Sequence, residues 1–129
     1  MIGKFIYNRL VSDINVAAVV QTRIYPDIVP QDVQYPFVVY TIVNATPVNY
    51  KDGISNLEEI RVQIDVYTND YDETDTLTND IRNRFDRFSG TVEGVDITTV
   101  TYLSAETNRF EPDINVYWKS SEFLIKMKR

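Results

Sequence analysis

The sequence predicts an α+β domain in which two helices pack on one face of a mostly antiparallel, four-stranded sheet. One observation predicts the fold class and another predicts a single domain. For the class, apolar residues recur at helical spacing in some segments and at every second position in others, in the order helix, strand, strand, helix, strand, strand. The chain has 129 residues, no internal repeat and no change of composition along its length. We therefore expect a single domain over residues 1–129.

The first helix is predicted from residue 2 to residue 11, where apolar residues recur at helical spacing. These residues are Ile2, Phe5, Ile6 and Leu10. Ser12 or Asp13 can then cap a further helical stretch, because its side-chain oxygen can accept hydrogen bonds from the free backbone N–H groups of a first turn. The first helix and this stretch form either one kinked helix or two helices.

A proline-rich connector, TRIYPDIVPQDVQYPFVVY, follows from Thr22 to Tyr40. Each of its three prolines fixes its own φ angle and disfavours the α conformation of the residue before it. We therefore expect this connector to be extended and stiff.

Two strands are predicted after the connector. Phe37–Val43 is apolar on both faces, which indicates either a central strand or a strand covered by a helix on one side and by another subunit on the other. Leu57–Tyr67 alternates between apolar and polar residues, which predicts a strand with one buried face. The residues expected to point inward are Ile60, Val62, Ile64 and Val66.

A long loop is predicted between these strands, from Asn44 to Asn56. It contains Pro47 and the pair Asp52-Gly53, which are typical turn residues. Loops of this length in compact domains are often functional, so the loop is a candidate contact segment.

The second helix is predicted to begin at Asp70, with Glu73 completing a capping box, and to end at Ser89-Gly90. Its apolar stripe consists of Leu77, Ile81, Phe85 and Phe88. Three arginines, Arg82, Arg84 and Arg87, lie near its end, where basic side chains suit the helix dipole. Two strands close the chain, Val95–Leu103 and Ile114–Met127, the latter with a candidate bulge at Ser120-Ser121.

The composition excludes several kinds of site. The chain has no cysteine and no histidine, which removes disulfides, thiolate metal sites and the commonest metal ligand. Its formal net charge of −6 argues against a basic surface that grips DNA phosphates. No segment has the length and apolar character of a signal peptide or a membrane span, so the sequence predicts a soluble, cytoplasmic protein.

Catalytic, cofactor and metal sites are also not expected. The acidic run from Asp70 to Asp80 begins like a calcium loop, but Asp75 and Ile81 occupy the positions that require glycine and glutamate. Helix capping accounts for the front of that run. The four glycines form no phosphate-binding pattern.

An interaction surface is the alternative that the composition favours, because nine tyrosines occur in a chain without catalytic equipment. The arginines near the end of the second helix are interpreted either as a solvated helix end or as a protein contact. We expect the subunit or partner interface to include residues of the connector, the loop and that helix end. The candidates are Arg23, Tyr25, Pro26, Tyr35, Tyr50, Asp52, Gly53, Arg82, Arg84 and Arg87.

Two blocks of sequence resemble the tail-completion, or tail-terminator, proteins of long-tailed bacteriophages and prophages. The first block is Arg23-Ile24-Tyr25-Pro26, followed by Pro30-Gln31 and by YPFVVY at 35–40. The second is RVQIDVY at 61–67, followed by a helix. The family usually has glycine directly before the first block, where this chain has Thr22. The last third of the chain agrees with the family only in general character.

The resemblance implies a structural protein of virion assembly. Members of this family have an α+β fold and form a ring, typically a hexamer, at the head-proximal end of the tail tube. The ring ends tube polymerisation and offers a head–tail joining surface to the head connector, and DNA passes through its lumen without specific binding. The resemblance therefore implies synthesis in the host cytoplasm, a place in the virion, and a tail tube protein and a head connector or stopper protein as partners. It implies no cofactor and no membrane.

Three alternatives stay open. One is a head–tail connector or stopper protein of the neck, which would bind a portal-side protein instead of the tube. Another, from a different class, is a small enzyme that uses carboxylates or tyrosine, which a buried, unpaired acid in a deep pocket would favour. The last is an unassigned binding module.

Overall fold

The computed structural model describes residues 2–50, 53–105 and 109–128, with the backbone alone described at 48–50 and 53–55. Its helices and strands occur in the following order. They are α1 (Ile2–Val11), α2 (Ile14–Val20), β1 (Ile24–Pro26), β2 (Phe37–Tyr50), β3 (Gly53–Thr68), α3 (Tyr71–Phe85), β4 (Gly90–Val92), β5 (Val95–Ala105), β6 (Arg109–Glu111) and β7 (Val116–Lys128).

Side-chain caps set where the helices begin. The carboxylate of Asp13 accepts hydrogen bonds from the backbone N–H groups of Asn15 (2.9 Å) and Val16 (3.0 Å). This cap begins α2 as a helix of its own, so of the two interpretations of the first helical region, the one with two helices is confirmed. Asp70 caps α3 by accepting from the N–H of Glu73 (3.2 Å), as the sequence predicts.

The strands form one mixed sheet in the order β1-β2-β3-β7-β5-β4, with β6 pairing with the beginning of β7. All described pairings are antiparallel except that of β1, which runs parallel to β2 with Ile24 opposite Val38. The sheet is therefore bordered by the outer sides of β1 and β2 at one end and by those of β4 and β5 at the other.

The hydrophobic core lies between the helices and one face of this sheet. Three fully buried phenylalanines join its layers: Phe5 of α1, Phe85 of α3 and Phe123 of β7. The ring of Phe85 lies 5.8 Å from that of Phe5 and 5.5 Å from that of Phe123, measured between centroids. The predicted inward face of β3 is confirmed, because Ile60, Val62, Ile64 and Val66 are all buried in this core.

The α+β class is confirmed, but the four-stranded sheet with two helices is wrong in detail. The described chain contains three helices and a seven-stranded sheet. Three of the strands, β1, β4 and β6, are only three residues long. Such segments are too short to show an alternating pattern of apolar and polar residues. The parallel pairing of β1 with β2 also depends on the path of the connector between them, which the periodicity of neighbouring residues does not show.

The loop predicted at Asn44–Asn56 is also wrong, because β2 extends to Tyr50, β3 begins at Gly53, and the two strands pair as a hairpin. Its polar residues are held by main-chain pairing, with Thr46 opposite Glu59 and Pro47 opposite Glu58. Main-chain hydrogen bonds do not require apolar side chains, so a strand can form from polar and turn-forming residues that a sequence pattern assigns to a loop.

The bulge predicted near Ser120 is likewise absent from β7, which pairs with β3 in unbroken register from Tyr117 to Lys128. The register shifts are instead on β5, at Thr98 and at Leu103, where β5 has one residue more than β7 opposite it.

Replacing Phe85 with alanine tests the core. We expect this change to lower the free energy of unfolding by about 3–5 kcal/mol, because it leaves a cavity where three layers meet. The matched control is Ile14→Ala, at a residue that is 84% exposed, for which we expect little change. Urea unfolding followed by circular dichroism measures both, and equal losses in the two variants would contradict this assignment of the core.

Candidate interaction surfaces

The face of the sheet that carries no helix presents a set of stacked aromatic rings. Phe37, Tyr67 and Trp118 lie opposite one another on the adjacent strands β2, β3 and β7. Their ring centroids are 4.9 Å apart between Phe37 and Tyr67 and 6.3 Å apart between Tyr67 and Trp118, with interplanar angles of 15° and 20°. Cross-strand stacking of this kind fixes the rings in place and stabilises the strand pairing.

The connector adds two tyrosines to this set. The ring of Tyr35 lies 5.1 Å from that of Phe37, and the ring of Tyr25 lies 6.5 Å from it. We call Tyr25, Tyr35, Phe37, Tyr67 and Trp118 the aromatic row. The row covers the apolar end of the helix-free face, so that Phe37 is buried although no helix lies over it.

A groove of about 390 Å³ opens beside the aromatic row, and we call it the aromatic groove. Its walls combine aromatic rings with the aliphatic side chains of Val29, Ile114 and Val116. Ile114 is largely exposed. Glu111 also lines the groove and adds an acidic group to it. An apolar groove with one acidic group suits a protein partner that offers apolar and basic side chains.

The electrostatic environment of the aromatic row is set by burial and by neighbouring acids. Burial raises the pKa of Tyr67, and the nearby charges of Asp65 and Tyr35 raise it further. Asp65 is itself buried, and its two carboxylate oxygens accept from the side-chain amide of Gln63 at 3.0 and 3.2 Å. This acid is hydrogen-bonded and not free, so it does not meet the condition set for a small carboxylate enzyme.

Arg23 fastens the beginning of the connector to the end of α2. Its guanidinium donates from Nε to the carbonyl of Pro36 (2.9 Å) and from Nη2 to the carbonyl of Val19 (3.1 Å). Its Nη1 donates to the side chain of Gln21 (3.2 Å). Arg23 therefore joins the beginning of the connector to its end just before Phe37. The peptide bond between Tyr35 and Pro36, next to this contact, is cis. The predicted interface residues Tyr25, Pro26 and Tyr35 lie on the segment that it holds, and Pro26 is exposed.

The three predicted arginines at the end of α3 are divided among different environments. Arg84 donates to the carbonyl of Arg9 (2.9 Å) and to the hydroxyl of Ser12 (2.7 Å), so it joins α3 to α1. Arg82 lies 4.0 Å above the ring of Tyr102. Arg87 is exposed and has a positive φ angle of 66°. Arg82 and Arg87 are thus open to a partner, whereas Arg84 serves the packing of the helices.

Arg9 completes this junction between the helices. Its guanidinium donates to the carbonyl of Arg84 and lies 3.9 Å above the ring of Phe88. Burial lowers the pKa of Arg9, and the charge of Arg84 lowers it further.

Two of the remaining predicted interface residues, Tyr50 and Gly53, lie where β2 ends and β3 begins. The backbone of Tyr50 and Gly53 belongs to the two strands and pairs there. The side chain of Tyr50 and the whole of Asp52 lie outside the described residues.

A second cavity, of about 480 Å³, lies between α1 and the turn that joins β4 to β5. Its lining includes Tyr7, Tyr40 and Glu93, and the side-chain amide of Asn8 donates to Glu93 across it (3.2 Å). Burial raises the pKa of Tyr40, assisted by the charge of Asp27. This lining offers no group of acids that could hold a metal ion, and none occurs elsewhere in residues 2–50, 53–105 and 109–128.

The acidic run of α3 has structural tasks. Asp70 caps the helix, and Asp75 forms an ion pair with Lys119 of β7 at 3.2 Å. Among the helices that the structure describes, none is long and apolar enough to cross a membrane.

Sequence reasoning did not identify Phe37, Trp118, Glu111 and Ile114 as members of one surface. The alternation of β3 correctly directs Tyr67 outward. The missing information was the register that sets Phe37 and Trp118 on either side of Tyr67, because residues far apart in the chain become neighbours only through strand pairing.

Arg23→Ala is expected to lower the free energy of unfolding by about 2 kcal/mol, because two backbone carbonyls and a side-chain amide lose a charged donor. The control is Arg61→Ala on the exposed, outward side of β3. Chemical denaturation measures both variants. If Arg23→Ala unfolds at the same denaturant concentration as wild type, the role of Arg23 in holding the connector is refuted.

The raised pKa of Tyr67 gives a dependence of stability on pH. The Tyr67 hydroxyl loses its proton at a lower pH in the unfolded chain than in the folded one. Its contribution to the free energy of unfolding is therefore fully present below the ordinary tyrosine pKa near 10 and is lost as the pH rises through the pKa of the folded state. Tyr67→Phe should therefore lose less stability than wild type between pH 9 and pH 11. Unfolding curves at the two pH values test this, and an equal loss in both proteins would contradict it.

Comparison with known proteins gives one family and one fold. The family model described as "Tail completion protein gp17" matches residues 4–127. A solved chain described as "Virion of native gene transfer agent (GTA) particle" is similar in structure, with a TM-score of 0.78 at 15% sequence identity. The similarity covers 96% of this chain and 92% of that one. No curated protein sequence matches significantly.

Proposed function

Because this chain belongs to the family of the tail completion protein gp17, we propose that it completes the phage tail as a ring at the head-proximal end of the tube. Membership makes the chain a structural protein of the phage tail, located in the virion, and not an enzyme. The ring, its position and its partners are the proposed part. In this proposal the ring, typically a hexamer, stops the growth of the tube and offers the surface to which the head connector binds.

The observation that carries the proposal is the family match over nearly the whole chain, together with a helix-free face that ends in the aromatic row and the aromatic groove. Tyrosine and tryptophan are favoured in protein contacts, because they bury a large area at a small cost in conformational entropy. A groove with apolar walls and an acidic side chain suits a protein partner that offers apolar and basic side chains.

The acidic balance of the chain fits a passage for DNA. A net charge of −6 disfavours tight binding of phosphates, which a channel that releases DNA must avoid. Exposed Arg82 and Arg87 are then contacts to proteins, in agreement with the acidic residues Asp80 and Asp86 that lie beside them in the sequence.

A head–tail connector or stopper of the neck is the second candidate. The aromatic groove favours a protein contact in either case, so the two differ in the partner that occupies it. A tail terminator binds the tube protein, whereas a stopper binds the portal-side protein.

The first experiment deletes the gene from the phage. We expect tails of irregular length that do not join filled heads, seen by negative-stain electron microscopy and restored when the protein is supplied in trans. Mass measurement of the pure protein, alone and with tube protein or portal-side protein, then identifies the partner. Normal tails joined to filled heads in the absence of the protein would refute the proposal.

Trp118 allows assembly to be followed, because it is the single tryptophan of the chain and lines the aromatic groove. We expect its fluorescence emission to move to shorter wavelength when the ring or the ring–tube complex forms, since a partner then excludes water from the groove. Trp118→Phe provides the background spectrum. An emission spectrum that does not change while the mass increases would place the contact elsewhere.

Tyr25→Ala tests the connector as an interface. The side chain of Tyr25 is only partly buried and contacts Phe37 at its edge, so we expect folding to be kept and the ring to dissociate at a higher protein concentration than wild type. Analytical ultracentrifugation measures the assembly. Arg23→Ala is less informative here, because Arg23 also holds its own chain.

A further inference from the structure

The outer side of β2 is an open sheet edge beyond Tyr40. The short strand β1 covers β2 only from Val38 to Tyr40, and the N–H of Asp27 donates to the carbonyl of Tyr40 (3.0 Å) just after it. From Thr41 onward, no strand or turn within residues 2–50, 53–105 and 109–128 pairs with this side of β2. An edge of this kind presents free N–H and C=O groups to another strand.

This edge carries no charged side chain, so it lacks one of the usual protections against pairing. Ile42 and Val43 are 44% and 50% exposed. The sequence has no charged residue from Val33 to Tyr50, although charged residues make up 25% of the chain. Edge strands that must stay alone carry charges, bulges or proline. The register of β2 with β3 shifts at Val43 and again between Pro47 and Asn49. Pro47 has no N–H to donate and ends the part of the edge that can pair, which is Thr41–Thr46.

The opposite edge of the sheet is protected within the same chain. β4 pairs with the beginning of β5. Further along β5, the N–H of Arg87 donates to the carbonyl of Val100 (2.8 Å), and the carboxylate of Asp86 accepts from the N–H of Tyr102 (3.1 Å). These caps end at Tyr102. Beyond them, Leu103–Ala105 is uncharged, and Leu103 is 37% exposed.

We propose that Thr41–Thr46 of one copy pairs, main chain to main chain, with Leu103–Ala105 of a second copy. The two segments lie on opposite ends of the sheet, so this contact joins two different patches head to tail, as a closed ring requires. Neither segment carries a charge that would have to be buried. The inference rests on the proposed ring and names the surface that builds it.

Engineered cysteines test this pairing, because the natural chain has none. The variant with Val43→Cys and Leu103→Cys is incorporated into tails, which are then oxidised and analysed by non-reducing electrophoresis. We expect a ladder of covalent multimers, since paired strands bring Cα atoms within the roughly 4.4–6.8 Å that a disulfide needs. The matched control combines Ile14→Cys, at a residue 84% exposed, with Leu103→Cys and should stay monomeric.

The outcomes separate this inference from the proposed function. A ladder only in the Val43–Leu103 variant supports the pairing. Dimers from Val43→Cys alone would indicate a two-fold contact between β2 edges and overturn the head-to-tail pairing. Monomers on the gel from tails of normal length would overturn the pairing and leave the ring intact. If unmodified protein neither assembles nor limits tail length, the proposed function fails, and the pairing fails with it.

A charge on the edge gives a second measurement that does not depend on disulfide geometry. We expect Val43→Lys to unfold at the same temperature as wild type, because the side chain of Val43 is half exposed. We expect the protein concentration needed to form the ring to rise at least tenfold, because a charge on the edge opposes strand pairing. Ile14→Lys is the control and should assemble as wild type does. Equal assembly of both lysine variants would refute the edge contact.

Discussion

The constraint on which this structure depends is that all of its helices pack on one face of the sheet. Phe5, Phe85 and Phe123 fill the space between the layers and leave the other face of β2, β3 and β7 without a helical cover. An apolar sheet face in water must be covered by something. In this chain the connector and the aromatic row cover one end of it. Further along β3 this face carries the polar side chains of Arg61, Gln63 and Asp65, so its apolar surface is concentrated at the aromatic row and the aromatic groove.

The connector has a structural reason for its length. It leaves α2, runs beside β2 as the parallel strand β1 and then reverses to enter β2 itself. Its prolines restrict the unfolded chain, and Arg23 holds the two ends of the turn through the carbonyls of Val19 and Pro36. This arrangement sets Tyr25 and Tyr35 against Phe37. A stiff connector therefore builds a surface from a segment that has no regular structure over most of its length.

The sequence predicts those parts of the fold whose signal is local. Periodicity identifies α1, α3 and the buried face of β3, and Asp70 identifies a cap, because each depends on residues within a few turns or strand positions. The hairpin at Asn44–Asn56 was not predicted, because its residues are typical of turns. The aromatic groove was not predicted, because its residues are far apart in the sequence. Phe37, Tyr67 and Trp118 come together through register, and Ile114 and Glu111 join them through the return of β6 along β7. Pairing between distant strands has no signature in a single sequence.

The two ends of the sheet differ in how much of their outer strand is covered: β2 is open beyond Tyr40, whereas β5 is covered as far as Tyr102. This difference affects how copies of the chain can be arranged. One strand, β2, carries Phe37 of the aromatic row at its beginning, the open edge in its middle and the hairpin at its end. If the open edge sets the position of a neighbouring copy, the direction of the hairpin relative to that neighbour is set as well. Rotation about a ring axis maps every hairpin onto the next, so all hairpins of a closed ring make the same angle with its axis. A cyclic ring built through β2 would thus have two different faces, because no rotation about its axis exchanges them, and binding a tube on one side and a connector on the other requires two different faces.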